Sequence, residues 1–420
     1  MSLAEGVSGS LRYKVYSTGV ITANTQPVST VDPAITGGQI LRRVSSTLKL
    51  AKDTYQSGEV RSDRQIADFR HGVKRVIGGI NGEFSPATYF DFIEAACRAT
   101  KTSTITQTQA TLTSVAFDNT LGTITFAAGT PVTAGLRTGD ILRFTGLTVG
   151  GGLNNATNFL VTAFSGASNR VLTVYPKPTT ATADTTFSVT SNGTTGKAVF
   201  MPTTTFVSRK FGIEVNNADV DISRLFTECR VGGFGIKLPA TGMATIDIPM
   251  MGRDMEIYTG ASAPFFTSPT AATSTGIFAA VNGLLMVAGT AVGVVTGLDI
   301  TMNLNPSSDA VVGQNFVPEI FLGRANITGT ATAFFQDSTL IADFKNETEV
   351  SILVYLTTTS AVNSPAVSIY LPRLKFGDGN VSDAGEGGQS VSLPFQCLLA
   401  PGTTAGDENT SIRICDTEAT

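Results

Sequence analysis

The sequence predicts a mainly β chain made of two tandem copies of one sheet unit, each with one flanking α-helix, plus a small inserted β domain. Three observations lead to this fold class. Short runs rich in Val, Ile and Thr alternate with connections rich in Gly and Ser. The order strand, polar loop, strand, helix occurs twice along the chain. The first copy is also interrupted by a stretch with its own series of short strands.

Each copy begins with two predicted strands that flank a polar loop. The strand, loop and strand cover residues 41–50, 51–68 and 73–84 in the first copy, and 294–304, 305–319 and 324–335 in the second. A single shift of 250 residues places Gly79 on Gly329 and Phe84 on Phe334. The copies end in matching pairs of strands, with 230–239 corresponding to 367–372 and 244–251 corresponding to 390–395.

A helix is predicted after the second strand of each copy. Ser85 is suited to cap the first helix, and Pro86 suits its first turn. Asp337 or Ser338 is the expected cap of the second helix. Apolar residues recur at helical spacing in both segments, which predicts helices packed on a core: Tyr89, Phe90 and Ile93, then Leu340, Ile341 and Phe344.

Residues 104–191 interrupt the first copy between its helix and its later strands. This stretch is rich in Thr, Gly, Ala and Asn, and short apolar runs recur in it between turn signals. A small β-barrel or sandwich is favoured over a disordered linker. The predicted domains are therefore residues 1–103 with 192–262, the inserted domain at 104–191, and residues 263–420.

Residues suited to catalysis, metal binding or cofactor binding are scarce. The chain has one histidine, His71, in a polar segment where a solvated side chain is expected. The run from Val231 to Gly235 lacks a phosphate-binding pattern, and its glycines are expected to allow close approach of a neighbouring strand. The loop at 376–388 departs from a calcium-binding loop at Asp383 and Gln389. We therefore predict no enzyme activity, no metal and no cofactor.

The cysteines, the uncharged segment and the N-terminus likewise give no indication of a metal site, a membrane span or secretion. The four cysteines are far apart, which favours reduced thiols over a zinc site or a disulfide framework. Residues 276–298 carry no charge, but their glycines and the Asn282-Gly283 pair favour a hairpin over a membrane span. The N-terminus shows no secretory pattern, so folding in the cytoplasm is expected.

The charge pattern favours protein contacts over nucleic-acid binding. The net charge is −4, and charged residues make up only 15% of the chain, which predicts a surface covered by other copies. A basic run is interleaved with acids and is predicted to form an ion-pairing surface between subunits. The residues proposed for this surface are Lys52, Asp53, Arg61 and Arg64.

Several segments, in this order, resemble the tail tube proteins of long-tailed, siphovirus-like bacteriophages. They are the runs 41–44, 78–86, 211–215, 244–255 and 266–270. The resemblance covers nearly the whole chain outside 104–191, and the departure from the simple family member is the duplication of the tube domain. It implies β-sandwich tube domains with a flanking helix, stacked rings, and a lumen through which DNA passes without specific binding. The polar loops 51–68 and 305–319 follow equivalent strands and are expected to reach the neighbouring ring, with Lys52, Asp53, Arg61 and Arg64 making contacts between successive rings.

The resemblance also implies a virion location, assembly in the host cytoplasm, and three partners besides the chain itself: tape measure, tail terminator and distal tail proteins. Because family rings use six equivalent sheet units, two units per chain predict a homotrimeric, pseudo-sixfold ring. We expect the junction within the chain, near 260–267, to mimic the junction between chains, and the inserted domain to lie on the tube exterior. A hexamer with an outer second unit stays open.

Two other functions also stay open. One is the inner tube protein of a contractile tail or secretion machine. The other is a carbohydrate-binding or hydrolytic β-protein, which the absence of Trp and of a clear carboxylate pair disfavours.

Overall fold

Two antiparallel sheets lie face to face in each half of the chain, with a short α-helix packed against each half. The computed structural model describes residues 5–16, 35–102, 104–191, 197–292, 295–336, 339–382 and 387–419. Strands predominate and the sheets are antiparallel, which confirms the mainly β prediction.

The first part of the chain forms β1 (Gly9–Val15), β2 (Gln39–Leu41), β3 (Ser45–Ser46), β4 (Lys49–Gln56), β5 (Phe69–Glu83) and α1 (Phe90–Ala96). It continues after the inserted stretch with β15 (Phe211–Asn217), β16 (Ile222–Val231), β17 (Gly233–Pro239), β18 (Thr245–Gly252) and β19 (Asp254–Thr259). These elements are called the first unit.

Residues 104–191, called the insert, form β6 (Thr106–Thr108), α2 (Gln109–Leu112), β7 (Val115–Asp118), β8 (Thr123–Phe126), β9 (Ile141–Thr145), β10 (Asn158–Ser165), β11 (Val171–Tyr175), β12 (Ala183–Asp184) and β13 (Ser188–Ser191). The connection back to the first unit contains β14 (Lys197–Phe200).

The second unit consists of β20 (Gly283–Val287), β21 (Thr290–Ala291), β22 (Val295–Asn303), β23 (Asn326–Phe334), α3 (Thr339–Lys345), β24 (Val350–Thr357), β25 (Ala366–Phe376), β26 (Asn380–Ser382), β27 (Ser390–Cys397) and β28 (Arg413–Asp416). The turn of its first hairpin lies at Ala288 and Gly289, between β20 and β21. Asn282 precedes β20 and Gly283 is its first residue, so the hairpin predicted at this pair is misplaced.

One continuous sheet, called the front sheet, runs through both units. Its order is β4, β5, β18, β17, β22, β23, β27, β26, with β3 continuing the β4 edge. Along β18 the side chains of Ile246, Ile248 and Met250 are buried, while Thr245 and Asp247 face solvent. This two-residue alternation places the apolar side chains of each strand against the core.

A second layer covers the buried face of the front sheet. It has the order β2, β1, β15, β16, β19 in the first unit and β20, β24, β25, β28, β14 in the second. The ends of β16 and β25 cross to the front sheet and pair with β18 and β27. Each unit is therefore a sandwich closed at one corner, and one cluster of buried side chains extends through both units.

The insert is an eight-stranded sheet in the order β12, β7, β8, β11, β10, β9, β13, β6. Its core is separate from that of the two units and includes Phe126, Phe144 and Phe159. The segment that enters the insert and the one that leaves it are hydrogen-bonded, since Ile105 and Ser191 exchange bonds of 2.9 and 3.1 Å. A complete β structure is thus inserted at one point of the first unit.

The first helix begins later than the sequence predicts. Residues 86–88 form a turn in which Ala87 has a φ of +63°, and α1 starts at Phe90. The Ser85 hydroxyl lies 2.7 Å from that of Thr88 and makes no cap. The apolar stripe is nevertheless buried as predicted. The predicted caps of the second helix, Asp337 and Ser338, lie outside the described residues.

The first predicted strand and loop also differ from the structure. Residues 41–50 are divided among β2, β3 and β4 rather than forming one strand. The predicted loop at 51–68 is a strand as far as Gln56, so only its second half connects strands. Leu50 packs on the main core, but the strand beyond it does not, so polar residues such as Lys52 and Thr54 occupy exposed positions there.

The repeat is present, but its register differs by one residue from the predicted alignment. Phe84 is buried whereas Phe334 is half exposed, so a shift of 250 pairs residues on opposite faces. A shift of 251 instead carries the buried residues Val76 and Ile80 onto the buried residues Ile327 and Ala331. The correct alignment therefore follows the faces of the strands rather than matching letters.

The closing strands correspond only in part as predicted. Strands β18 and β27 match with a shift of 145, and both carry a proline, Pro249 and Pro394, at the same position. The segment 367–372 lies in β25, which is the counterpart of β16. The counterpart of β17 is β26, so the predicted match between 230–239 and 367–372 is wrong.

We predict that Gly329→Ala destabilises the second unit by about 1–3 kcal/mol, a typical cost of overpacking. A Cβ there would lie 2.2 Å from the carbonyl oxygen of Asp299 and 2.3 Å from the Phe395 ring. The control is Gly297→Ala on β22, where the nearest atom to the new Cβ would be 3.8 Å away. Urea unfolding followed by circular dichroism measures both; equal midpoints would contradict the prediction.

Candidate assembly surfaces

The exposed face of the front sheet is broad and weakly charged. Thr, Ser, Gly and Pro predominate among its outward-facing side chains, as the outward positions of β18, β23 and β27 illustrate. Lys237 lies directly opposite Asp299 where the two units meet, and Asp247 lies one strand away. Partial burial raises the pKa of Asp247, and the charge of Lys237 opposes that rise. The face thus presents few charges, of both signs.

The two units meet edge to edge through β17 and β22. The pairing is antiparallel and runs from Gly233 opposite Asn303 to Pro239 opposite Gly297. Gly233 has a φ of +145°, and a Cβ there would lie 1.9 Å from the carbonyl oxygen of Met302. Only glycine fits this approach. This confirms the prediction that the glycines near Val231 admit a neighbouring strand.

The residues 260–267, predicted as the junction, belong to the first unit. Phe265 and Phe266 pack on Leu225, and their backbone N–H groups donate to the buried Glu214 carboxylate at 2.6 and 3.1 Å. The chain does pass between the units here, but the contact that joins their sheets is made elsewhere, by β17 and β22. The prediction followed chain connectivity, whereas the sheets join where two edges are complementary.

The loop 305–319 of the second unit packs on the first unit. The Glu319 carboxylate lies 3.1 Å from both Lys210 Nζ and a guanidinium nitrogen of Arg230. Burial by itself would raise the pKa of Glu319, but the Ile320 N–H and these two cations outweigh it, and the net pKa is lowered. These contacts are internal to the chain, and the contact of this loop with a neighbouring ring stays a prediction.

The same loop also contacts β5 just beyond the part of this strand that pairs with β18. Phe316 forms a bridge with Lys74, and the Arg253 guanidinium lies 4.2 Å from the centre of the Phe316 ring. A cation above an aromatic face is attracted by the electrons of the ring. The loop therefore reinforces the junction made by β17 and β22 at one end of the front sheet.

The four residues predicted to contact another ring are found on one hairpin, called the arm. It is formed by residues 52–56 and 69–75 of β4 and β5 with the connecting residues 57–68, and it extends beyond the paired end of β22 and β23. Lys52 and Asp53 lie at its base, where Asp53 pairs with Arg75 at 3.0 Å. Arg61 and Arg64 lie in the exposed connection, where Arg61 pairs with Asp63 at 2.8 Å. The four therefore share one element but form two separate groups.

The insert docks on the second unit, which nothing in the sequence indicated. Ile141 and Leu160 of the insert share an apolar cluster with Leu353, Tyr355 and Tyr370. The spacing of these residues is ordinary for buried strands, so the pattern that predicts their strands does not reveal their partners.

A buried ion pair accompanies this cluster. The Asp140 carboxylate lies 2.6 Å from the Arg413 guanidinium, and neither side chain is more than 6% exposed. Glu408 provides a second carboxylate to Arg413. Removing one member of such a pair leaves an uncompensated charge, so the docking is specific to this orientation. The insert thus begins in the first unit and is fixed to the second.

The C-terminal strand β28 also connects the units. It pairs with β25 on one side and with β14 on the other. The carboxylate of Asp416 at its end accepts a 2.7 Å hydrogen bond from the Ala87 N–H in the first unit. Burial raises the pKa of Asp416 to about 6, although the N–H groups of Ala87 and Glu418 act in the opposite direction.

Groups that would support other chemistry are not brought together. Within the described residues, no three of the His, Cys, Asp and Glu side chains are grouped as metal ligands would be, and no helix has the length and apolarity to cross a membrane. His71 is exposed on the arm, 5.3 Å from the Phe69 ring. The cysteines are free and buried, and burial raises the pKa of all four: Cys97, Cys229, Cys397 and Cys415.

A duplicated antiparallel sheet with a broad exposed face and a projecting arm defines a structural β-protein. A family model described as phage tail tube protein matches residues 6–397. The chain belongs to the phage tail tube protein family, and its role is that of a structural component of the virion tail tube. The search of curated proteins found no match.

We predict that Asp416→Asn alters the pH dependence of stability. Because the pKa of Asp416 is raised in the folded chain, its stabilising contribution is complete below the ordinary Asp value near 4 and is lost as the pH rises through about 6. Between pH 4 and pH 7 the wild type should therefore lose up to about 3 kcal/mol relative to the variant.

Urea unfolding of the unassembled chain at pH 4, 5.5 and 7 measures this difference. The control is Asp309→Asn, because Asp309 is an exposed loop residue. If wild type and Asp416→Asn show parallel pH profiles, the ionisation of Asp416 does not contribute.

Proposed function

We propose that the chain forms homotrimeric, pseudo-sixfold rings that stack into the tail tube through which the genome leaves the virion. The observation that supports this most directly is the head-to-tail junction of the two units at β17 and β22. A junction that joins equivalent units by unlike edges repeats until a ring closes. Two units per chain then give six positions from three chains.

The dimensions of a closed front sheet favour three chains over six. Each chain contributes eight strands to the front sheet, counting β3 and β4 as one edge. With about 4.8 Å between strands and a tilt of about 40°, three chains give a backbone diameter of roughly 50 Å. Six chains with both units in the wall double this diameter, which leaves far more space than one DNA duplex requires. A hexamer with only the first unit in the wall would have to break the pairing of β17 with β22 that makes the front sheet continuous.

In this ring the exposed face of the front sheet forms the wall of the bore. Its few charges are of both signs, as Lys237 and Asp299 illustrate. A wall rich in Lys would hold the phosphate backbone by many contacts at once and would slow the passage of DNA. The mixed, weakly charged face supports passage without specific binding.

The arm is proposed to join successive rings, with Arg61 and Arg64 near its end and Lys52 and Asp53 at its base. The five residues 52–56 of β4 extend it beyond the sheet by roughly 16 Å. A cavity of about 270 Å³ lies at the opposite end of the front sheet, lined by apolar residues that include Leu238, Val295 and Leu356. Rings stacked in one direction would bring the arms of one ring to this end of the next.

The domain division is proposed with residues 1–103 and 192–262 as the first tube domain and 263–420 as the second, except that residues 263–270 pack on the first unit and β14 extends the second layer of the second unit. The insert docks on strands of the second layer, β24 and β25, and therefore away from the front sheet. This arrangement supports a position on the tube exterior. The tape measure protein is the proposed occupant of the bore before ejection, and the tail terminator and distal tail proteins are the proposed partners at the tube ends.

Image reconstruction of tubes assembled from the purified chain tests the ring. We expect three chains per ring, the front sheet on the bore and the insert outside. Six chains per ring, or second units displaced from the bore, would contradict the trimer. Purified chains that never form rings or tubes would overturn the proposed assembly itself.

Charge reversal on the arm tests the contact between rings. The double variant Arg61→Glu and Arg64→Glu should shorten tubes at least several-fold at physiological salt, because the charges that meet the next ring change sign. Lys177→Glu, an exposed residue of the insert, is the control. Electron microscopy measures tube length, and circular dichroism verifies folding. Well-folded double variants with tubes of wild-type length would count against the arm.

A further inference from the structure

We propose that neighbouring chains join by antiparallel pairing of β26 with the outer edge of β3 and β4, and that the register is fixed. In this register Asn380 lies opposite Lys49, and Ser382 lies opposite Thr47. The inference rests on the ring proposed above and names the strands and residues that close it. The partner is a second copy of this chain.

In the front sheet, β3 and β4 of the first unit occupy the position that β22 occupies in the second unit. Val76 pairs with Leu50 in the first unit, and its counterpart Ile327 pairs with Met302 in the second. Leu50 therefore corresponds to Met302, a shift of 252. The same shift carries the buried Leu48 onto the buried Ile300. The edge formed by β3 and β4 is thus the first unit's counterpart of β22.

Strands β17 and β26 pair with equivalent residues of their neighbours, β18 and β27. Gly235 pairs with Asp247, and Asn380 pairs with Ser392, so both positions differ by 145.

The residues that lead into β17 and β26 also make equivalent hydrogen bonds. The Gly232 N–H donates to the Pro249 carbonyl at 2.8 Å, and the Gly377 N–H donates to the Pro394 carbonyl at 2.7 Å. Strand β26 therefore occupies in the second unit the place of β17 in the first.

The register then follows from the junction within the chain. Gly235 lies opposite Thr301, and Lys237 lies opposite Asp299. We add 145 to the residue number on β17 to reach β26 and subtract 252 from the residue number on β22 to reach β3 and β4. This places Asn380 opposite Lys49 and Ser382 opposite Thr47. The strand directions also carry over, so the new pairing is antiparallel.

Both edges are open in a single chain. Among the described residues, β26 pairs only with β27, and β3 and β4 pair only with β5. Most residues of β4 are exposed, and Tyr55 near its end is 58% exposed. A long exposed edge strand in a soluble chain is a template for pairing with another chain. The two open edges are also the unlike edges that the intrachain junction combines.

The charges on the two edges are complementary. Lys49 and Lys52 lie on the edge of β4, and the exposed Asp378 lies two residues before β26. In the proposed register Asp378 lies opposite Ala51 and diagonal to Lys49 and Asp53. The charge of Asp53 is compensated within its own chain by Arg75 at 3.0 Å. Long side chains reach across such a diagonal, so Asp378 and Lys49 form a favourable pair in the closed ring.

Cysteine cross-linking of assembled full-length protein tests the register. The double variant Thr47→Cys and Ser382→Cys places two thiols directly opposite, with Cβ atoms about 4.5–5.5 Å apart. Mild oxidation should convert most chains into a ladder of covalent dimers and trimers on non-reducing gels. The native cysteines are buried with raised pKa values and contribute little background.

Two controls make the result specific. The double variant Lys49→Cys and Ser382→Cys is out of register by two residues, at about 7–8 Å, and should cross-link at least several-fold more slowly. The double variant Lys237→Cys and Asp299→Cys places two thiols opposite each other at the junction within one chain. It should form an intramolecular disulfide and give no ladder.

The outcomes separate the register from the proposed function. Tubes that form without cross-linking of the in-register pair, or with faster cross-linking of the out-of-register pair, would overturn the register and leave the tube intact. If the first double variant fails to assemble, Lys49→Cys with Asn380→Cys tests the same register. A wild-type chain that forms no rings would overturn the ring and the register together.

Discussion

The edge-to-edge pairing of β17 with β22 is the interaction on which the rest of the structure depends. It makes one sheet from two repeated units, and the shared core, the cover provided by loop 305–319 and the exposed front face all require it. The close approach at Gly233 shows how little tolerance the pairing has, because a single methyl group would collide with the opposite backbone. Strand pairing of this kind is directional, so it sets both the neighbour and the angle of the next unit.

The insert and the C-terminal strand hold this pairing in place from behind. Asp140 and Arg413 form a buried pair between the insert and the second unit, and Asp416 accepts a hydrogen bond from the first unit. A buried charge is costly unless its partner is correctly placed, so these contacts disfavour other relative positions of the units. Both sets of contacts lie on the side of the second layer, so the exposed face of the front sheet stays unobstructed.

The sequence predicts the strands and the repeat well because burial imposes a two-residue alternation on them, as at Ile246 and Ile248. It fails where that constraint is absent. The β4 strand of the arm is mostly polar and exposed, so Lys52 and Asp53 look like loop residues although they belong to a strand. The alignment of Phe84 with Phe334 fails because a one-residue slip reverses the faces without disturbing the order of elements.

Long-range partners are harder to infer for a different reason. Glu319 could pair with any exposed cation, and only the fold shows that Lys210 and Arg230 are near it. The contact between Ile141 and Leu353 cannot be inferred from the sequence either, since buried residues of the insert and of the second unit follow the same pattern. Local periodicity reports which face is buried, but it carries no information on what covers that face.

The covalent link between the two units has a thermodynamic consequence for assembly. Every association of separate bodies loses translational and rotational freedom, which costs on the order of 4–15 kcal/mol. In a ring of three fused chains, half of the junctions are already intramolecular, and the tether holds their edges at a high effective concentration. Fewer encounters then suffice to nucleate a ring. Fusion also frees the two units to diverge, so that the arm and the insert each appear at every second position around the bore.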